Sequence, residues 1–217
     1  MDIEALLLSL KLAMWTLLLI LPFGIWAAHS LQSMGKYRSW LEAALALPLV
    51  LPPTVLGYYL LVGFGGKSIL GFPLVFSFTG ILIASLIVNL PFAIQPIQRA
   101  FEAINPEIRE AAQVSGLSKW QIFRLIELPL AWRGITSAAV LTFAHTLGEF
   151  GVILMVGGAI PGETKTVSIA IYDKVQGFDT SGAGALSLLL LGVSLVAIAL
   201  SYGVFGRQPS RQKRWGS

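Results

Sequence analysis

Apolar residues run along this chain in five long stretches, about 8–28, 43–64, 77–97, 134–157 and 183–205. Each is ~20 residues long, enough for a helix to cross a hydrocarbon core ~30 Å thick. The pattern predicts an all-α integral membrane protein with five transmembrane helices, folded as a single transmembrane domain over 1–217. The first stretch ends in Ala27-Ala28 like a secretory signal, but it opens on Asp2 and Glu4 where a signal carries positive charge. It is therefore expected to stay as a span.

One polar segment between the third and fourth stretches breaks the pattern, Asn105 to Pro129. Asn105-Pro106 reads as an N-cap followed by proline in the first helical position, and Glu107 suits the first turn. A helix through Glu110-Ala111-Ala112 is expected to end at a left-handed Gly116. Ser118-x-x-Gln121 is the pattern of a capping box for a second short helix, 119–127, which Pro129 is expected to terminate. Small Ala111 and Ala112 would let a partner approach closely, and Glu110 would offer it a charge. On local physics alone the segment is either such a docking hairpin or an ordinary loop between two spans.

Charge fixes an orientation. Of the lysines and arginines, Lys36, Arg38, Arg99, Arg109, Lys119, Arg124, Arg133, Arg207, Arg211, Lys213 and Arg214 fall on one side of the five-span topology. Only Lys11, Lys67, Lys165 and Lys174 fall on the other. Basic residues favour the cytoplasmic side, so the N-terminus is expected outside, and the C-terminus and the 105–129 segment inside. The net charge of +4 then reflects membrane topology and gives no reason to expect nucleic acid. At 55% hydrophobic and 12% charged, the chain leaves no room for a separate soluble domain.

Little points to chemistry within the chain. Cysteine is absent, which removes thiolate nucleophiles and thiolate metal sites, and the two histidines, His29 and His145, are too few for a typical zinc site. No metal or cofactor is expected. Gly66-Lys67-Ser68 resembles the end of a P-loop, but the first glycine of that motif would fall on Leu61. Polar residues inside the apolar stretches are the remaining candidates, since burying them in lipid is costly. Glu149 and His145 lie four apart on one helical face, and Asn89 with Pro91 is expected to interrupt the third span. They read either as interhelical pairing or as a gate. Pro52-Pro53 would break the helical ladder near mid-membrane, with Thr54 and Gly57 keeping that wall small and polar. A pathway lining and a packing kink are both open there. Tyr58, Tyr59 and Trp26 suit an interfacial belt, and Thr166 to Gln176 reads as an amphipathic helix resting on the membrane surface.

The spacing Glu110-Ala111-Ala112, then Gly116, then Ile126-x-Leu128-Pro129 resembles the EAA motif of the membrane subunits of ABC importers. What the resemblance implies is that 105–129 forms coupling helices on a separate ABC ATPase subunit, which supplies the energy. It also implies an external oxyanion-binding protein and a homodimer of the chain in a plasma (inner) membrane. Within that family, Leu47 to Tyr58, Leu21-Pro22-Phe23-Gly24, Leu147-Gly148-Glu149-Phe150-Gly151 and Pro161 to Thr166 are similar to the molybdate permease subunits. Tungstate and sulfate or thiosulfate permeases are the neighbouring alternatives. A passive channel or an intramembrane enzyme is disfavoured, because a pore needs no motor and no catalytic set is present.

Overall fold

The computed structural model describes residues 3–65 and 74–205. Gly66-Lys67-Ser68 and the basic residues Arg207 to Arg214 lie outside them. Every regular element among the described residues is a helix, and none is a strand. Helix α1, Ile3–Leu31, leads into α2, Arg38–Val50, and α3, Pro53–Phe64. Helix α4, Phe78–Glu102, precedes the polar segment, whose helices are α5, Pro106–Val114, and α6, Lys119–Ile122. A π turn, Phe123–Glu127, and α7, Leu128–Leu130, carry the chain into α8, Trp132–Gly148, and α9, Gly151–Gly157. Helix α10, Val167–Gln176, and α11, Thr180–Phe205, complete it.

Three helices are long and apolar enough to cross a membrane by themselves, Ile3–Leu31, Phe78–Glu102 and Thr180–Ala199, and the number reaches five when each of two bent pairs is one span. The second apolar stretch is broken at Pro52-Pro53, as those prolines predict, and the fourth is broken as well, which the sequence pattern did not predict. Helices α2 and α3 meet at 104°, and α8 and α9 at 59°. The first bend has a local cause. Leu51 and Pro52 each precede a proline, which disfavours helical backbone; their ψ angles are 137° and 136°. Pro53 then restarts the helix in its first turn, where its missing N–H costs nothing.

Helices α1, α4 and α8 pack on one another as the centre of the bundle. A polar ladder crosses it. Thr16 donates to Ser85 at 3.0 Å, and the Asn89 amide donates to the Ser85 carbonyl at 2.8 Å and to Thr146 at 3.1 Å. Asn89 and Pro91 do not interrupt this helix: α4 runs unbroken through Pro91 and Pro96. Both prolines are tolerated because neighbouring helices pack around the loosened backbone. Toward the hairpin end, Ala27, Ala28, Leu31, Ile94, Ile97, Phe101, Ala131 and Ala138 form the largest apolar cluster.

The arms α3 and α9 pack against each other. A Cβ on Gly57 would stand 2.9 Å from Met155 Cβ, and one on Gly151 would stand 2.8 Å from Pro53 Cβ. The two bends therefore touch, and glycine is what allows it. Helix α10 forms as expected, but its apolar face is not left for a membrane surface. Val167 and Ala170 are buried with Ala5 of α1 and Leu186 of α11, and Ser9 of α1 accepts from the Val167 N–H at 2.8 Å.

Candidate functional site

The 105–129 segment folds as two short helices around a tight turn. Asn105 caps α5 by accepting from the Glu107 N–H at 3.0 Å. At the other end the Leu117 N–H donates to the Ala112 carbonyl and the Gly116 N–H to that of Gln113. That pair of bonds is the Schellman closure, and it requires a left-handed residue. Gly116 supplies it with φ +84°. Ser118 and Gln121 then exchange backbone and side-chain bonds, forming the capping box that starts α6.

Pro129 does not end the second helix as expected; it lies inside α7, and helix continues to Leu130. The preceding turn is widened to π, with the Leu128 N–H reaching the Phe123 carbonyl. Widening moves the carbonyl that a proline ring would otherwise strike. The motif residues also divide. Glu110, Ala111 and Gly116 are exposed, Ile126 and Leu128 are half-buried, and Pro129 is exposed. Ala112 is buried, so it cannot offer a partner the close approach expected of both alanines. Helix α5 packs against α6, its partner in the hairpin. Apolar Ile108, Val114 and Leu125 are exposed nearby.

Sequence reasoning missed how the hairpin is tied to the bundle. Glu127, between Ile126 and Leu128, is buried and accepts from Arg109 Nε at 2.5 Å. Its other oxygen lies 2.9 Å from His29 Nε2. Arg109 also donates to Gln32 Oε1 at 2.9 Å and to the Phe101 carbonyl at 2.8 Å. One guanidinium thus joins both halves of the hairpin to the ends of α1 and α4. The signal available was an acid in the otherwise apolar sequence Ile126-x-Leu128-Pro129. A second network holds the start of α2 against the end of α4: Arg38 pairs with Glu42 and Glu102, and Gln98 donates to both carboxylates. Beside it lies a polar cavity of about 370 Å³ lined by Ser39, Glu42, Gln95 and Gln98.

The residues expected at a gate fall in three places. Pro52, Pro53 and Thr54 are exposed at the corner of the first bend, with Gly57 buried beneath them in the crossing with α9. Asn89 belongs to the polar ladder and bonds to neither His145 nor Glu149. Glu149 lies at the second bend, buried, with its Oε2 3.7 Å from His145 Nε2. Its Oε1 accepts from the Val152 N–H at 3.1 Å, which caps α9. The His145 ring stacks on Phe92, centroids 4.1 Å apart. The carboxylate therefore holds the bend from both sides.

On the opposite end, the Pro161–Thr166 segment is a compact clasp. Thr164 donates to the Gly157 carbonyl at 2.6 Å and accepts from the Ile160 N–H at 3.1 Å. Glu163 accepts from the Phe78 N–H at 3.1 Å, at the start of α4. Asp179, held below the usual carboxylate range chiefly by the Gly182 N–H, caps α11. Among the described residues no group of three or more His, Asp or Glu side chains is arranged to hold a metal.

Comparison with known proteins places this geometry. The chain is similar to the "Molybdenum transport system permease protein ModB" of Azotobacter vinelandii, 42% identical over 84% of each chain. The protein of that name from Escherichia coli is 36% identical over 97% of this chain and 95% of its own. The sulfate transport system permease protein CysT of Escherichia coli is 32% identical, over 74% of this chain and 61% of its own. In fold, the chain is similar to a bacterial ABC transporter involved in the import of the acidic polysaccharide alginate. That match has a TM-score of 0.78 at 20% identity and covers 95% of this chain and 79% of the other. The MetNI methionine ABC transporter in an inward-facing form gives 0.70 at 17% identity, over 94% and 92%. The family model described as "Binding-protein-dependent transport system inner membrane component" matches residues 20–212, and the chain belongs to that family.

Proposed function

We propose that this chain is the membrane-spanning permease subunit of an ATP-driven molybdate importer. It works as a homodimer of five-span subunits, each with its N-terminus outside and its 105–129 hairpin in the cytoplasm. A separate ABC ATPase subunit grips the exposed face of Glu110, Ala111 and Gly116, and an external oxyanion-binding protein delivers the substrate. The observation that carries this reading is the hairpin itself. It is built with three caps, exposes the motif face, and is wired to α1 and α4 through Arg109 and Glu127. A hairpin made that way passes on a displacement, where a plain connecting loop would absorb it.

The first half of the motif meets the motor and the second half moves the spans. Motion of α1 and α4 reaches the bends at Pro52–Pro53 and Glu149–Phe150, where short arms α3 and α9 swing as a unit. Molybdate is favoured over sulfate because the ModB relatives match at higher identity and over more of both chains than CysT does. Uptake of labelled molybdate into vesicles holding the complex, competed by tungstate and by sulfate, tests the substrate. Competition by sulfate at concentrations equal to molybdate would refute the molybdate reading and favour the sulfate alternative.

A further inference from the structure

A groove of about 460 Å³ separates α1 from the second helix of the hairpin. Pro22, Ile25, Trp26 and His29 form one wall, and Lys119, Trp120 and Phe123 the other. The chain does not fill it: Trp26 and Trp120 are 62% and 66% exposed at its rim. We propose that this groove binds an anionic phospholipid, with the phosphate at Lys119 and one acyl chain along α1. The proposal rests on the reading that 105–129 lies at the cytoplasmic membrane boundary.

Three observations converge on that ligand. First, the α1 wall continues an exposed apolar stripe, Trp15, Leu18, Leu19, Pro22 and Trp26, at helical spacing. These residues face what would be acyl chains, so the groove opens onto the bilayer. Second, its rim holds two indoles, and indoles gather where hydrocarbon meets headgroups. Third, charge complements the ligand. No carboxylate lines the groove, and Lys119 makes no ion pair among the described residues. His29, the other nitrogen base there, is already held by Glu127. A basic residue at the cytoplasmic face of a span attracts anionic headgroups. A lipid wedged there would also brace the hairpin against α1, beside the Arg109–Glu127 link.

The test uses the complex of this chain with its ATPase, reconstituted in nanodiscs of mixed phosphatidylglycerol and phosphatidylcholine. After transfer to mild detergent, retained lipid is counted by native mass spectrometry. Wild-type complex should keep phosphatidylglycerol preferentially. Lys119→Gln should lower that retention about five-fold, roughly the worth of one lysine–headgroup attraction. Trp120→Ala should lower retention of both lipids. Equal retention of the two lipids by the wild type would overturn the proposal. So would a Lys119→Gln complex that keeps its phosphatidylglycerol but sheds the ATPase, because the groove would then belong to that protein. Labelling of Lys119→Cys from outside alone would overturn the topology beneath it, a failure separable from the lipid counts.

Discussion

Arg109 and Glu110 are neighbours with opposite tasks. Glu110 is exposed, on the face proposed to meet the ATPase, whereas the Arg109 guanidinium turns inward to Glu127, Gln32 and the Phe101 carbonyl. Replacing Arg109 by alanine leaves buried Glu127 with His29 alone. The cost is expected to be about 2–3 kcal/mol, below that of a fully buried pair because the guanidinium is partly exposed. Arg109→Lys keeps the charge but loses the planar fork, so it should fall between wild type and alanine. The check is the melting temperature of the complex beside its uptake rate; uptake unchanged in Arg109→Ala would show that the link transmits nothing. Gly116 is a simpler case. Its surroundings are open, so a side chain there meets no neighbour and only the φ of +84° opposes it. Gly116→Val should strain the turn by about 1–2 kcal/mol, leave the protein inserted, and weaken its hold on the ATPase. Full ATPase co-purification with wild-type uptake would show that the turn is dispensable for docking.

At the scale of elements, what was legible in the sequence were features with local causes. Asn105, Pro106, Gly116, Ser118 and Gln121 each act within four residues of themselves, and each forms the cap or turn that its chemistry predicts. The geometry of the two broken spans was less legible. Pro52-Pro53 announced a broken ladder, but the size of the bend depends on α9 lying against α3, which no local pattern reports. The break at Glu149–Phe150 had no proline to mark it. It exists because Glu149 caps a new helix and Gly151 lets that corner sit on Pro53. Pro129 failed as a terminator for a similar reason, since the π turn before it made room. Glu149→Gln tests the bend directly. Glutamine keeps a carbonyl acceptor for the Val152 N–H but gives up the charge facing His145. The arms should loosen without collapsing, seen as altered basal ATPase activity or leak in the reconstituted complex. The oxyanion carried should not change, and a change in it would mean that Glu149 contacts substrate.

Across the whole molecule, the polar groups buried in the bundle are hydroxyls, amides and carboxylates. Among the described residues no lysine or arginine is buried. A tetrahedral dianion taken from water into such surroundings meets donors from Thr and Asn but no compensating cation, and an uncompensated charge there is expensive. A tight site for the substrate inside one subunit is therefore not expected. In the proposed importer the arms at the two bends would instead form a passage that opens to one side at a time, and discrimination between oxyanions would fall to the external binding protein. This makes a sharp expectation for an exchange experiment. The permease and its ATPase, reconstituted in vesicles, are supplied with a binding protein of the same architecture but different oxyanion preference. Transport should follow the preference of the binding protein, with a rate reduced several-fold by imperfect docking and no return of selectivity for molybdate. If molybdate remains the substrate whichever binding protein is present, the spans hold a selective site, formed where two copies of the chain meet. The first place to look for it would then be the exposed corner of Pro52, Pro53 and Thr54.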